Sequence, residues 1–462
     1  MRAPTAAVLA ALAFAACTPR APAPPAVAGT QVSTGPALAL AASPDGSRIA
    51  WIGECGAAAP SCVLLAAPVS GGEVIRVATG LPPGAAFSVG PDGSVAGIGR
   101  RDPATGAGPL TLLRPGAAPR VLSPAATALA WGPAGELAYA SGGEVAVVSP
   151  AGAEVRLTGA PAASEVAVAP APGKAIAARV RGPDGAPVLV LWPGLEGPGA
   201  VVARDASSFA FSGDGAWLAA VAGVAPGAVG DLVLVPAGPT SPGAGAAPLA
   251  RSVGEFRWAA AGNRIAWLED FDARIHAGRL ATALPGEKPV VLGERVTAFE
   301  LAPGGRALAF VRHVTDGGYA ASLELVAPPA APPRPLARDA ASFAFSPDGR
   351  WLYWRGGCAA TGDSCALLRL PVDAGAGATP EQVADGVQAF AFDPVRADRI
   401  LLSLARRDGA GVDVALWSAG RLTAVDGGAV PGSPRFASRD GRRVAWIAAG
   451  GPRAGVRTAE LP

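Results

Sequence analysis

The chain has 462 residues, half of them hydrophobic, and a formal net charge of +2 from 38 basic and 36 acidic residues. So small a charge excludes recognition of nucleic acid or of an anionic membrane by bulk electrostatics. The 62 Gly and 47 Pro alternate with runs of Val, Leu, Phe and Trp, which argues for many turns and against disorder. Lys174 and Lys288 are the only lysines, and this Arg-for-Lys skew reads as a mark of a GC-rich genome, not of function.

The first segment is MRAPTAAVLAALAFAACTPR. Arg2 precedes an apolar run, residues 6–16, that is too short to span a bilayer well. It ends Phe14-Ala15-Ala16-Cys17 and resembles a bacterial lipoprotein signal, in which small residues precede a lipidated cysteine; Phe14 stands where such signals usually have Leu. The resemblance implies a signal peptide over 1–16 and lipid attachment at Cys17. It also implies a place on the periplasmic side of a Gram-negative-type cell envelope. Thr18, in place of the Asp that retains lipoproteins in the inner membrane, favours the outer membrane. The alternative is an ordinary signal peptide cleaved nearby. Residues 17–29, rich in Pro and Ala, read as a stiff extended tether. The uncharged stretch 217–230 contains Pro226 and reads as a strand and a loop, not a membrane span.

From residue 30 a phrase recurs. It appears as ALAASPDGSRIAW (39–51), AFSVGPDGSVAGI (86–98), ALAWGPAGELAYA (128–140), EVAVAPAPGKAIAA (165–178) and SFAFSGDGAWLAA (208–220). It returns as EFRWAAAGNRIAW (255–267), AFELAPGGRALAF (298–310), SFAFSPDGRWLYW (342–354), AFAFDPVRADRILL (389–402) and PRFASRDGRRVAW (434–446). The mean period is about 44 residues, that of a four-stranded propeller blade. Within one copy a short apolar strand must reverse into the next. Pro347 presets φ, Asp348 bonds the local backbone, and Gly349 accepts positive φ. The ninth copy has Val395-Arg396-Ala397-Asp398 in place of the glycine turn. Phe209/Phe211, Phe343/Phe345 and Phe390/Phe392 recur at period two and read as strand residues packing between sheets.

The Ser-Pro-Asp-Gly turn of SPDGSRIAW (43–51) and SPDGRWLYW (346–354) resembles the TolB-like, WD40-like propeller repeats. The resemblance implies an all-β fold over residues 30–462, a β-propeller of about ten four-stranded blades, and is almost silent on function. TolB itself carries an α/β domain before its propeller, for which there is no room between Cys17 and the first repeat. The last copy stops one strand short, while GTQVSTGPALAL (29–40) resembles IRVATGLPPGAAF (75–87), the fourth strand of the first copy. An N-terminal strand is therefore expected to complete the last blade and close the ring. The alternative is two smaller propellers.

With Cys17 assigned to lipid, four cysteines remain in matching phrases, WIGECGAAAPSCVLL (51–65) and WRGGCAATGDSCALL (354–368). Equal spacing between second and third strands predicts disulfides Cys55–Cys62 and Cys358–Cys365 in an oxidising compartment. The chain shows no nucleophile elbow, zinc-type His pair or phosphate loop, and His276 and His313 stand alone, so no catalytic residue is assigned. Glu269, Asp270 and Asp272 form the densest acidic cluster, a cation-site candidate such as for Ca²⁺ or, more plainly, a solvated hairpin tip. Arg204-Asp205 and Arg338-Asp339 precede first strands, as rim contacts for a ligand or as local ties between neighbouring blades. The reading is a lipid-anchored envelope propeller without cofactor or catalysis, binding a protein or glycan partner and no nucleic acid. The rival is a small-ligand receptor or enzyme that uses the central channel.

Overall fold

The computed structural model describes residues 29–56, 61–157, 163–170, 175–225, 229–238, 247–313, 321–359, 362, 364–406, 409–450 and 454–461. The signal segment over 1–16, the tether up to residue 28 and Cys17 lie outside the described residues. Regular structure among the described residues is entirely β, in antiparallel sheets. The stretch read as strand and loop holds the strands Trp217–Ala225 and Val229–Pro236. Among the described residues no helix is long and apolar enough to cross a membrane.

Each recurring phrase joins two paired strands. In the eighth copy Ser342–Phe345 pairs with Trp351–Gly356, which pairs with Cys365–Pro371, which pairs with the first half of Glu381–Phe392. The middle strands carry apolar residues on both faces because both faces are covered: Arg48–Gly53 and Cys62–Pro68 are buried at nearly every position. Three strands of twelve residues, Arg120–Trp131, Val290–Leu301 and Glu381–Phe392, each pair with one repeat by their first half and with the next by their second. This sharing gives two sheets of seven strands and, with Glu381–Phe392 and the last repeats, one of eleven, beside three sheets of four among the described residues.

The turn phrase owes its recurrence to three side-chain roles. Ser346 Oγ accepts from the Trp351 amide (3.0 Å) and lies 2.6 Å from Asp348 Oδ1, which itself accepts from the Arg350 amide (3.1 Å). The same set recurs at Ser212/Asp214 and Ser438/Asp440. The eight described turn glycines all have φ between 68° and 87°, where an L side chain costs about 1–2 kcal/mol. Some also receive the neighbouring turn. A Cβ on Gly46 would stand 2.4 Å from Ser438 Cα, and one on Gly441 would stand 1.9 Å from Asp393 Oδ2.

Apolar clusters join each repeat to the next. Trp192 packs with Ala138 and Val145 between the third and fourth, Trp267 with Val221 between the fifth and sixth, and Trp354 with Val311 between the seventh and eighth. One further cluster joins the ends of the chain: Leu40, Ile49, Trp51 and Leu65 pack with Ala437, Ala445, Ile447 and Val456. There the strand Thr30–Gln31 pairs antiparallel with Gly455–Glu460, Thr30 opposite Thr458 and Gln31 opposite Arg457. Val32 donates its amide to Val456 O (2.9 Å), and Arg457 donates to Gly29 O (2.7 Å) and ion-pairs with Asp426 at 2.7 Å. Thr30–Gln31 thus lies along the edge of the last repeat.

Candidate functional site

An antiparallel meander has two ends. The recurring turns and the third-to-fourth connections lie at one; the second-to-third loops and the passage to the next repeat lie at the other. Both disulfides, Cys55–Cys62 and Cys358–Cys365, lie at the loop end, with Cα–Cα distances of 4.0 and 3.9 Å. Cys62 and Cys365 are buried at the starts of third strands, which ties each loop to its sheet.

The acidic cluster also lies at the loop end, and its carboxylates are taken by protein groups. Glu269 accepts from the Trp267 indole (3.0 Å) and pairs with Arg279 at 2.7 Å. Arg279 also reaches Asp270 at 3.2 Å, and Asp272 pairs with Arg274 at 3.5 Å. No group of three or more metal-binding side chains occurs among the described residues. Glu269 and Arg279 are register partners across the hairpin, which the run of acids alone does not reveal.

Arg204-Asp205 and Arg338-Asp339 are exposed at the ends of Ala200–Arg204 and Arg334–Arg338. Asp205 and Asp339 take φ of 50° and 59°, so each dipeptide turns the chain from a fourth strand to the next first strand. Asp205 O accepts from the Val224 amide (3.3 Å), and the Asp339 amide donates to Ala321 O (3.0 Å). These bonds are made by backbone, and the four charged side chains make no bond among the described residues.

First strands of successive repeats lie beside each other. Two residues before the turn seven of them carry a small, partly exposed side chain, Ala41, Ser88, Ala130, Ala167, Ala210, Ala344 and Ala391, and the tenth carries Phe436. The sixth and seventh repeats place Arg257 and Glu300 there instead. Arg257 pairs with Glu255 at 2.8 Å and lies 5.6 Å from the Phe299 ring centroid. Burial pushes the Glu300 carboxyl above its ordinary range, opposed by the Phe345 amide and by Arg257. Column-by-column comparison of the copies would have found both residues, since charge interrupts a row of small side chains; comparing turns alone misses them.

At the turn end the first, ninth and tenth repeats enclose a cavity of 690 Å³. Arg435, Arg439, Ser43, Phe392, Phe436 and Val395 are among its lining residues, which include no carboxylate. Burial pushes the Arg435 guanidinium below its ordinary value. Asp393, between the lining residues Phe392 and Pro394, is fully buried, accepts from the Val395 and Arg396 amides (2.9 and 3.0 Å), and lies 3.4 Å from Arg399.

Other arginines cross between repeats. Arg369 is held by Glu381 (2.7 Å) and lies between the rings of Trp351 and Trp417, 4.2 and 4.5 Å from their centroids. Arg114 joins Asp92 (3.1 Å) to the Ser149 carbonyl (2.8 Å), and Arg101 reaches Thr127 O at 2.9 Å. A planar guanidinium with five donors suits such carbonyl and ring contacts better than an ammonium does.

No protein-family model matches the chain, and no curated protein matches it. Among solved structures it is similar to a eukaryotic initiation factor, with TM-score 0.47 and 13% identity over 76% of this chain and 89% of that one. It is similar to the tricorn protease, with TM-score 0.36 and 10% identity over 84% of this chain, and spans 43% of that protein's length. It is also similar to an oligogalacturonate lyase in complex with manganese, with TM-score 0.36 and 11% identity over 63% of this chain and 86% of that one.

Proposed function

We propose that the chain is one β-propeller of ten four-stranded blades, anchored by lipid at Cys17 in the cell envelope, and that it serves as a non-catalytic scaffold for a protein or glycan. The single ring is supported by the unbroken succession of apolar clusters and by the cluster that packs the first repeat on the last. Two smaller propellers would each need a further junction between non-successive repeats. The N-terminal strand would remove the free edge of the last blade.

The observation that carries the binding role is the bracing of the loop end. Two disulfides close the bases of loops that lead off the same ends of their sheets, in repeats one and eight. A loop closed by a crosslink has fewer conformations to lose when a partner docks. Disulfides also suit the oxidising side of the inner membrane, where the lipoprotein reading places the chain. The test is crosslinking and capture from envelope membranes with the full chain, beside a variant carrying Cys55→Ser and Cys62→Ser. A specific partner that is lost or weakened in the variant is the expected result. Recovery of no partner, together with hydrolysis of a glycan or peptide by the purified protein, would overturn the reading. Palmitate labelling that persists in Cys17→Ser would remove the anchor.

A second reading, a small-ligand receptor that uses the central channel, is favoured by Arg257, paired with Glu255, and Glu300, which set charge into a row of mostly small side chains on the first strands.

A further inference from the structure

The cavity at the turn end lies where the repeat departs from its own pattern. The ninth turn lacks the glycine and raises Val395 into solvent at 63% exposure; the tenth carries Arg439 where the first and eighth carry Pro44 and Pro347. Arg435 Nε donates to Ser433 O at 3.3 Å, and its two terminal nitrogens have no partner among the described residues. Arg439 is exposed and likewise makes no ion pair among the described residues. Elsewhere in the chain arginines such as Arg369, Arg114 and Arg457 are each taken by a carboxylate. Arg435 thus faces a cavity with no acid in its lining, and an anion would supply its missing partner; Arg439, exposed at the border with a neighbouring cavity lined by Asp45, Asp440 and Glu460, adds a second cation beside it. The remaining wall is apolar: Phe392, Phe436 and Val395, with Ser43 and Ser438 at the edge. The volume, 690 Å³, lies within the range of small-molecule sites.

We propose that this cavity binds a small carboxylate attached to an apolar ring, the carboxylate held by Arg435 with Arg439 as second cation, and the ring against Phe392, Phe436 and Val395. A guanidinium binds a carboxylate through two parallel hydrogen bonds, which favours it over an uncharged amide of the same shape. The inference stands apart from the loop-end scaffold, because the cavity opens at the other end of the sheets.

The test is titration calorimetry of the full chain with benzoate, benzamide and inorganic phosphate. Benzoate is expected to bind saturably at one site, and benzamide and phosphate at least about tenfold more weakly. Arg435→Gln should weaken benzoate about tenfold with little change in the unfolding midpoint. Val395→Asp, on the exposed rim, should also weaken benzoate, by placing a like charge beside the site, and it does not depend on Arg435→Gln folding. Failure of benzoate to bind, equal affinity for benzamide, phosphate bound as tightly as benzoate, or benzoate affinity unchanged in Val395→Asp would each overturn the proposal.

Discussion

The two ends of the sheets follow different rules. At the turn end one short phrase repeats, with its serine, aspartate and glycine each assigned to a local bond or a left-handed φ, and successive turns packing on each other. At the loop end no phrase recurs through the whole array: two repeats share a disulfide-braced loop and two share an Arg-Asp passage, one hairpin tip is acidic, and the passages are turned variously by Asp205, Asp339, Arg295 or Gly386. The turn end therefore sets the period of the array, and variation accumulates where the period does not depend on it. The cavity at Arg435 is the exception that fits the rule, for it lies where the ninth turn loses the phrase and the tenth carries Arg439 in place of its proline.

This contrast can be broken by substitutions at each end. The largest effect is expected at Gly441→Ala. Positive φ and the approach to the Asp393 carboxylate together should cost about 3 kcal/mol in denaturant unfolding. Gly262→Ala, with φ of +87° and open space around it, should cost only the strain, about 1–2 kcal/mol. Equal losses would mean that the turns do not pack on one another. At the loop end, Cys55→Ser with Cys62→Ser opens a loop of about 8 residues and should cost about 2.5 kcal/mol on the chain-entropy estimate. The Cys358/Cys365 pair should cost a similar amount, and the two should add because they stand in separate repeats.

Smaller effects sharpen the account. Ser346→Ala removes a buried hydroxyl that accepts from the Trp351 amide and should cost about 1 kcal/mol. A loss near zero would mean that serine recurs for another reason. Glu300→Gln should act in the opposite sense. A carboxyl whose folded value is raised binds its proton more tightly in the folded state, so stability falls as pH rises from the ordinary carboxylate value through the raised one, and stays reduced above it. The variant should be more stable than wild type at neutral pH and show a flatter stability profile on the acid side. A destabilised variant at neutral pH would mean that the Phe345 amide and Arg257 outweigh burial.

Much of the architecture was legible in the residues because the information is local. Ser-Pro-Asp-Gly specifies a reversal within six residues, and Cys-x6-Cys in two matching phrases places each pair across one hairpin. Comparing residues 29–40 with 75–87 pointed to a strand beside the last repeat, and Thr30–Gln31 does pair with Gly455–Glu460. The site was less legible because its meaning depends on register and on distant partners. Glu269 reads as a cation ligand until Arg279 is placed opposite it. Arg435 reads as one arginine among many; what sets it apart is that three turns, two near the end of the chain and one near residue 44, bring no acid to it. Cys17 lies outside the described residues, so the anchor rests on the sequence of the signal alone.

The central claim is that a single ring is closed by the N-terminal strand. It is tested most directly by Thr30→Cys with Thr458→Cys, at positions that face each other across the junction. The account predicts that oxidation links the two cysteines within one chain and raises the unfolding midpoint of the entire ring in one cooperative step. Failure of the pair to link, or a link that leaves the unfolding of the remaining repeats unchanged, would contradict it.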